Sequence, residues 1–120
     1  MKAKIHDALF ESSPAIRYVA VRNGSSVELH QRDDLDSPSE SESDKYEELF
    51  VNPAILSLAT NRGELDCGGL NYVLIRYGNF FQYIRSTVSG HVSIAIETDA
   101  NLDEVVPDIE QTLHQLSMVS

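Results

Sequence analysis

The stretch Gly69-Leu70-Asn71-Tyr72-Val73-Leu74-Ile75-Arg76-Tyr77-Gly78-Asn79-Phe80-Phe81-Gln82-Tyr83-Ile84-Arg85, followed by Ser89-Gly90 and His91-Val92-Ser93-Ile94-Ala95-Ile96-Glu97, decides the fold. Three runs of β-branched and aromatic residues are separated by short turn signals. They predict strands over 71–77, 80–86 and 91–97, joined as an antiparallel meander whose turns have no room for an active-site loop. In the last strand Val92, Ile94 and Ile96 share one face, with Ser93, Ala95 and Glu97 on the other. In the first, Tyr72, Leu74 and Arg76 alternate with Val73, Ile75 and Tyr77, and both faces are largely apolar. A sheet covered by helices on both sides explains that pattern, and the aromatic residues then read as core packing rather than a base-stacking platform.

Working outward, Asn101 with Glu104 three residues on is a capping-box-like helix start. Leu102, Val105, Val106, Ile109, Leu113 and Leu116 form the core stripe of that helix. Pro107 lies beyond the first turn, which predicts a kink or a reset of the helix start. Upstream, Ile5, Ala8 and Leu9 give a short helix over 1–12, stopped by Pro14. Strands over 16–22 and 26–31 flank the hairpin turn Asn23-Gly24-Ser25. The charged side of the second, Glu28 and His30, suits an edge strand.

The segment 32–43 is rich in Ser, Asp and Glu and holds Pro38, so a mobile loop is expected there. A helical pattern resumes over 44–50. Asn52-Pro53 reads as a restart, an N-cap with proline at the first helical position. The helix should end near Asn61, with Gly63 as its terminator. Ala54, Ile55, Leu56, Leu58 and Ala59 cover about half its circumference, more than one core-facing stripe requires. The surplus is explained by a helix deeply buried in its own domain or by a second partner, most simply another copy of the chain.

The 120 residues fit one domain, with 42% hydrophobic content. No run reaches the roughly 18 apolar residues of a membrane span, and no signal-peptide pattern opens the chain. A single cysteine, Cys67, is consistent with a reducing cytoplasm. The net charge of -10 argues against nucleic-acid binding. Eight carboxylates between Asp33 and Glu48 face Lys45 alone, so that stretch carries most of the charge and reads as solvated.

No catalytic, cofactor or metal residue is expected. Cys67 adjoins Asp66, whereas a reactive thiol needs a neighbouring cation or helix N-terminus. His6, His30, His91 and His114 lack metal-ligand spacing along the chain and read as surface or strand-end residues. The acidic segment has no glycine to turn a calcium loop. Gly68-Gly69 and Gly78 do not lead from a strand into a helix, so no phosphate loop is formed.

The order of elements, αββαβββα, resembles the Roadblock/dynein-light-chain family, including bacterial MglB-type proteins. The resemblance is carried by the strand-turn-strand over 18–29, the helix-Gly-strand passage over 54–75, the hairpin over 72–85 and the closing strand and helix over 92–116. It implies an α+β fold with one five-stranded antiparallel sheet in the order 2-1-5-4-3. The middle helix would lie on one face and the two terminal helices on the other. It further implies a homodimer paired through the middle helix and third strand, with Ile55, Leu58, Arg62, Tyr72 and Leu74 at the interface. By that resemblance the chain is a noncatalytic regulator or scaffold for a Ras-like small GTPase or a signalling or motility complex. Two other readings compete: a secretion-chaperone-like protein, and a small-molecule sensor domain with an internal pocket. Val88-Ser89-Gly90 leaves room only for a turn where such chaperones usually insert a helix.

Overall fold

A computed structural model describes residues 2–32 and 45–119. Helix α1 (Lys2–Ser12) leads into the hairpin β1 (Ile16–Asn23) and β2 (Ser26–Gln31). A π-helical turn, Glu47–Val51, runs directly into α2 (Asn52–Asp66). Strands β3 (Val73–Arg76), β4 (Phe81–Ser86) and β5 (Gly90–Ile96) form the meander, and α3 (Leu102–Gln115) closes the chain. The five strands make one antiparallel sheet ordered β2-β1-β5-β4-β3, as expected. Only short turns join β3 to β4 and β4 to β5. Among the described residues no helix is long and apolar enough to cross a membrane.

The two faces of this sheet differ in chemistry. One presents Val19, Val21, Tyr83, Val92, Ile94 and Ile96, packed against Leu9 of α1 and Val105, Val106, Ile109 and Leu113 of α3. This is the main core, and its period-two strands and helical stripe are those the sequence displays. The opposite face has a small apolar group of Tyr18, Ala20 and Ala95. Beside it lie Gln82, His91 and Ser93, all nearly or fully buried, and the π-helical turn and α2 sit over them.

Three local expectations are corrected. Asn52 is not an N-cap: Tyr46, Val51 and Asn52 all have right-handed helical backbone, and the helix passes through without a break. The Asn52 N–H reaches back five residues to the Glu47 carbonyl. A proline ring in an ordinary helix collides with the carbonyl four residues earlier, and the wider turn before Pro53 relieves that conflict. Gly63 does not end α2. It is buried inside the helix, where a Cβ would lie 3.2 Å from backbone atoms of Gly69 and Leu70. The chain instead turns at Gly68 and Gly69, with φ of +79° and +92°, and the N–H groups of Cys67 and Gly69 both donate to the Gly63 carbonyl. Nor does Pro107 reset α3, which runs unbroken from an Asn101 cap whose side chain accepts the Asp103 N–H at 3.1 Å. Pro107 lies on the exposed side of α3, where the carbonyl it leaves unpaired can be solvated.

The mobile loop expected over 32–43 lies outside the described residues except at Arg32. That residue is tied down: its N–H donates to the Arg17 carbonyl at 2.9 Å, and its guanidinium binds the Pro14 and Ile16 carbonyls and Glu97.

At the start of β5, a Cβ on Gly90 would overlap the carbonyl of Arg22 on the neighbouring strand. Neither backbone can move without breaking the β1–β5 ladder. Gly90→Ala is expected to cost at least about 3 kcal/mol, the upper range for overpacking. A urea midpoint within error of the wild type would contradict this.

Candidate interaction surface

The contact between α2 and the sheet is built around a buried carboxylate. Glu48, in the π-helical turn, has no solvent exposure. Its Oε2 accepts from the Tyr18 hydroxyl at 2.7 Å, and its Oε1 accepts from Asn52 Nδ2 at 3.0 Å. His91 Nε2 lies 2.7 Å from the same Oε1, while Arg22 Nε donates to His91 Nδ1 at 2.8 Å. Because Nδ1 accepts, the ring proton sits on Nε2 and points at Glu48. The chain Arg22–His91–Glu48 thus links β1, β5 and the turn before α2. Ser93 joins it through Asn52 and Gln82. Burial pushes the Glu48 carboxyl toward its neutral form, but hydrogen bonds from His91, Tyr18 and Asn52 outweigh it and hold the pKa below the ordinary 4.5.

With its polar side clamped to the sheet, α2 turns its other side to solvent. Asn52, Leu56 and Gly63 are the buried positions. On the opposite arc Phe50, Leu58 and Leu65 are 62%, 72% and 79% exposed, preceded by Tyr46 at 61%. Tyr46 and Phe50 touch, with ring centroids 5.3 Å apart. Steps of seven and eight residues separate Phe50, Leu58 and Leu65, so they line one stripe two helical turns apart. Large apolar side chains aligned at this exposure form a continuous apolar row on the surface. Beyond α2, β3 ends the sheet and, among the described residues, has a strand partner on one side only.

The five residues expected at a dimer interface divide between two sides of the molecule. Leu58 is central to the stripe, Ile55 is half-buried at its flank, and Arg62 is exposed and paired with Asp66 at 2.5 Å. Tyr72 and Leu74 instead pack into the core beneath the terminal helices, where Tyr72 stacks on Tyr83 at 5.0 Å. Register places Val73 and Ile75 opposite Ile84 and Gln82, on the α2 side of the same strand. Cys67 is exposed at the end of α2, its thiol 3.4 Å from Asp66.

Two readings of polar residues are overturned. Glu48, read as part of a solvated acidic run, is fully buried. His6, read as a surface or strand-end residue, is fully buried on α1, and His91, at a strand end as read, is fully buried as well. Their partners lie 22 and 43 residues away in sequence, beyond the reach of any local spacing rule.

This architecture is that of the Roadblock/LC7 domain fold, with MglB-like topology. The structure superposes on the gliding protein MglB from Thermus thermophilus with a TM-score of 0.71 and 13% identity, covering 96% of this chain and 87% of that one. It matches a structure described as MglB with a tetrameric arrangement equally well, at 0.71 and 12% identity over 96% and 86% of the two chains. A Roadblock/LC7 domain from Streptomyces avermitilis follows at 0.69 and 11% identity, covering 92% and 89%. No family model matches the sequence, and no curated protein matches it. At these identities the likeness is one of fold.

The clamp carries a pH signature. A carboxyl whose folded pKa lies below its unfolded value adds stability above the unfolded pKa and loses it as pH falls through the folded one. Stability should therefore decline as pH drops below about 4.5, the ordinary glutamate value. Glu48→Gln should flatten that part of the profile. Glu48→Ala, which leaves the buried donors of His91, Tyr18 and Asn52 without their acceptor, should cost at least about 3 kcal/mol at pH 7, at about 1 to 3 kcal/mol for each unsatisfied group. Urea melts between pH 7 and pH 3 test this, and an identical acid profile for wild type and Glu48→Gln would refute it.

Proposed function

We propose that the chain is a noncatalytic regulator or scaffold that works as a homodimer. Two copies pair through the α2 stripe around Leu58 and through the open edge of β3. The observation that carries this reading is the row of exposed Phe50, Leu58 and Leu65 on a helix whose other side is fixed by a buried network. An unpaired strand edge beside that row favours sheet extension across the pair. Ile55 flanks the seam and Arg62 lies at its rim. Tyr72 and Leu74 support β3 from behind, through the core, while Val73 and Ile75 face the α2 side.

The dimer in turn acts as a docking platform for a Ras-like small GTPase or a signalling or motility complex. The fold similarity to a gliding protein and to a Roadblock/LC7 domain supports this class of partner. Influence on nucleotide hydrolysis would come from shaping the partner's site. The short turns on either side of β4 disfavour the secretion-chaperone alternative, whose members usually carry an inserted helix there.

Leu58→Asp should yield a monomer in light scattering at tens of micromolar, raising the dissociation constant at least about 30-fold, as loss of a hot-spot residue does. Its folding stability should change by less than about 0.5 kcal/mol, because Leu58 is exposed within one copy. A monomeric wild type would refute the dimer. Affinity capture from the native host should return a small GTPase, whereas recovery of a secreted effector would favour the chaperone reading.

A further inference from the structure

We propose that His6, Glu28 and His30 form a site for one divalent transition-metal ion of the zinc type, clipping α1 to the outer strand β2. Glu28 and His30 are two residues apart on β2 and therefore point to the same side of the sheet. Leu29, between them, packs toward the α2 face, so the pair faces the terminal helices. His6 comes down from α1 onto this pair. Its ring stacks on His30 with centroids 4.2 Å apart, and its Nε2 lies 2.9 Å from the Glu28 carbonyl oxygen. His30 Nε2 is 3.2 Å from Glu28 Oε2. One potential ligand atom from each residue lies within 4.8 Å of the other two.

The donor set selects the ion. Two imidazoles and one carboxylate suit zinc and its first-row neighbours, whereas magnesium and calcium prefer all-oxygen shells. Tetrahedral zinc with bonds of about 2.0 to 2.1 Å sets its ligand atoms roughly 3.3 Å apart. The three groups must draw together by at most about an ångström and a half. His30 and Glu28 have side chains 40% and 35% exposed and can turn to do so, while His6 is buried and held by the Glu28 carbonyl. The ion takes the place of the His30–Glu28 hydrogen bond, and any proton on the ligating imidazole nitrogen is released to solvent. Three protein ligands leave one position for water, on the exposed side of the strand. A ligated ion would fasten the N-terminal helix to the edge strand without touching the α2 stripe.

The test uses the full chain with Cys67→Ser, which removes a competing exposed thiol, stripped of metal by chelator dialysis. Titration with zinc chloride should show one ion per chain with a dissociation constant below about 10 μM, and the melting temperature should rise with zinc. Cobalt chloride should give the visible absorption of a four-coordinate site. His30→Ala and Glu28→Gln should each weaken zinc at least about tenfold. His114→Ala, at an exposed position on α3, should leave binding unchanged. Metal-free melts show whether the variants fold. Lack of saturable uptake by the parent at 100 μM zinc, or equal uptake by His30→Ala and Glu28→Gln, would overturn the proposal.

Discussion

One buried carboxylate sets the geometry of the molecule. Glu48 has left water completely, and a charge in that position is tolerated only when its acceptor sites are filled. Tyr18, Asn52 and His91 fill them, and each comes from a different element. Rotating the helix about its axis, or sliding it by one turn along the sheet, would strand the charge. The network therefore specifies orientation more than it adds adhesion, since a buried polar cluster contributes little net stability over an apolar one.

That division of labour explains the unequal faces of the sheet. Stability resides where Ile94, Ile96, Ile109 and Leu113 pack beneath the terminal helices. Specificity resides on the other face, where the apolar cluster is smaller and hydrogen bonds help to position the helix. A helix held this way needs few apolar residues on its inner side. Phe50, Leu58 and Leu65 are left pointing outward, and the outer stripe of α2 is thus a direct consequence of the clamp below it.

The strands of the meander and α3 were legible because period-two alternation in β5 and the helical stripe of α3 are local patterns, whereas the strand order was implied only by the family resemblance that the element order carries. Of the exposed stripe, only Leu58 belonged to the apolar arc read over 54–59; Leu56 of that arc is buried, and Phe50 and Leu65 lie outside it. Glu48 and His91 were not legible, because nothing nearby in sequence distinguishes a buried glutamate from its solvated neighbours, and its partners lie on distant strands. The i,i+4 spacing of Glu48 and Asn52 was the one local signal of their hydrogen bond. Asn52-Pro53 imitated a helix start because a π-helical turn lets proline enter a continuing helix. Tyr72 and Leu74 share a face of β3, as alternation requires, but only the register with β4 reveals that this face turns away from α2.

If the clamp presents α2 and the edge of β3 as a seam between two copies, the β3 amides that point away from β4 are shielded only in the pair, and the concentration dependence is confined to them. Amide hydrogen exchange across 73–76, followed while the wild-type protein is diluted from about 100 μM to well below 1 μM, tests this most directly. Strong protection of those amides is expected at high concentration and its loss on dilution, with β5 protected throughout. Exchange of those amides that is rapid and independent of concentration would contradict it.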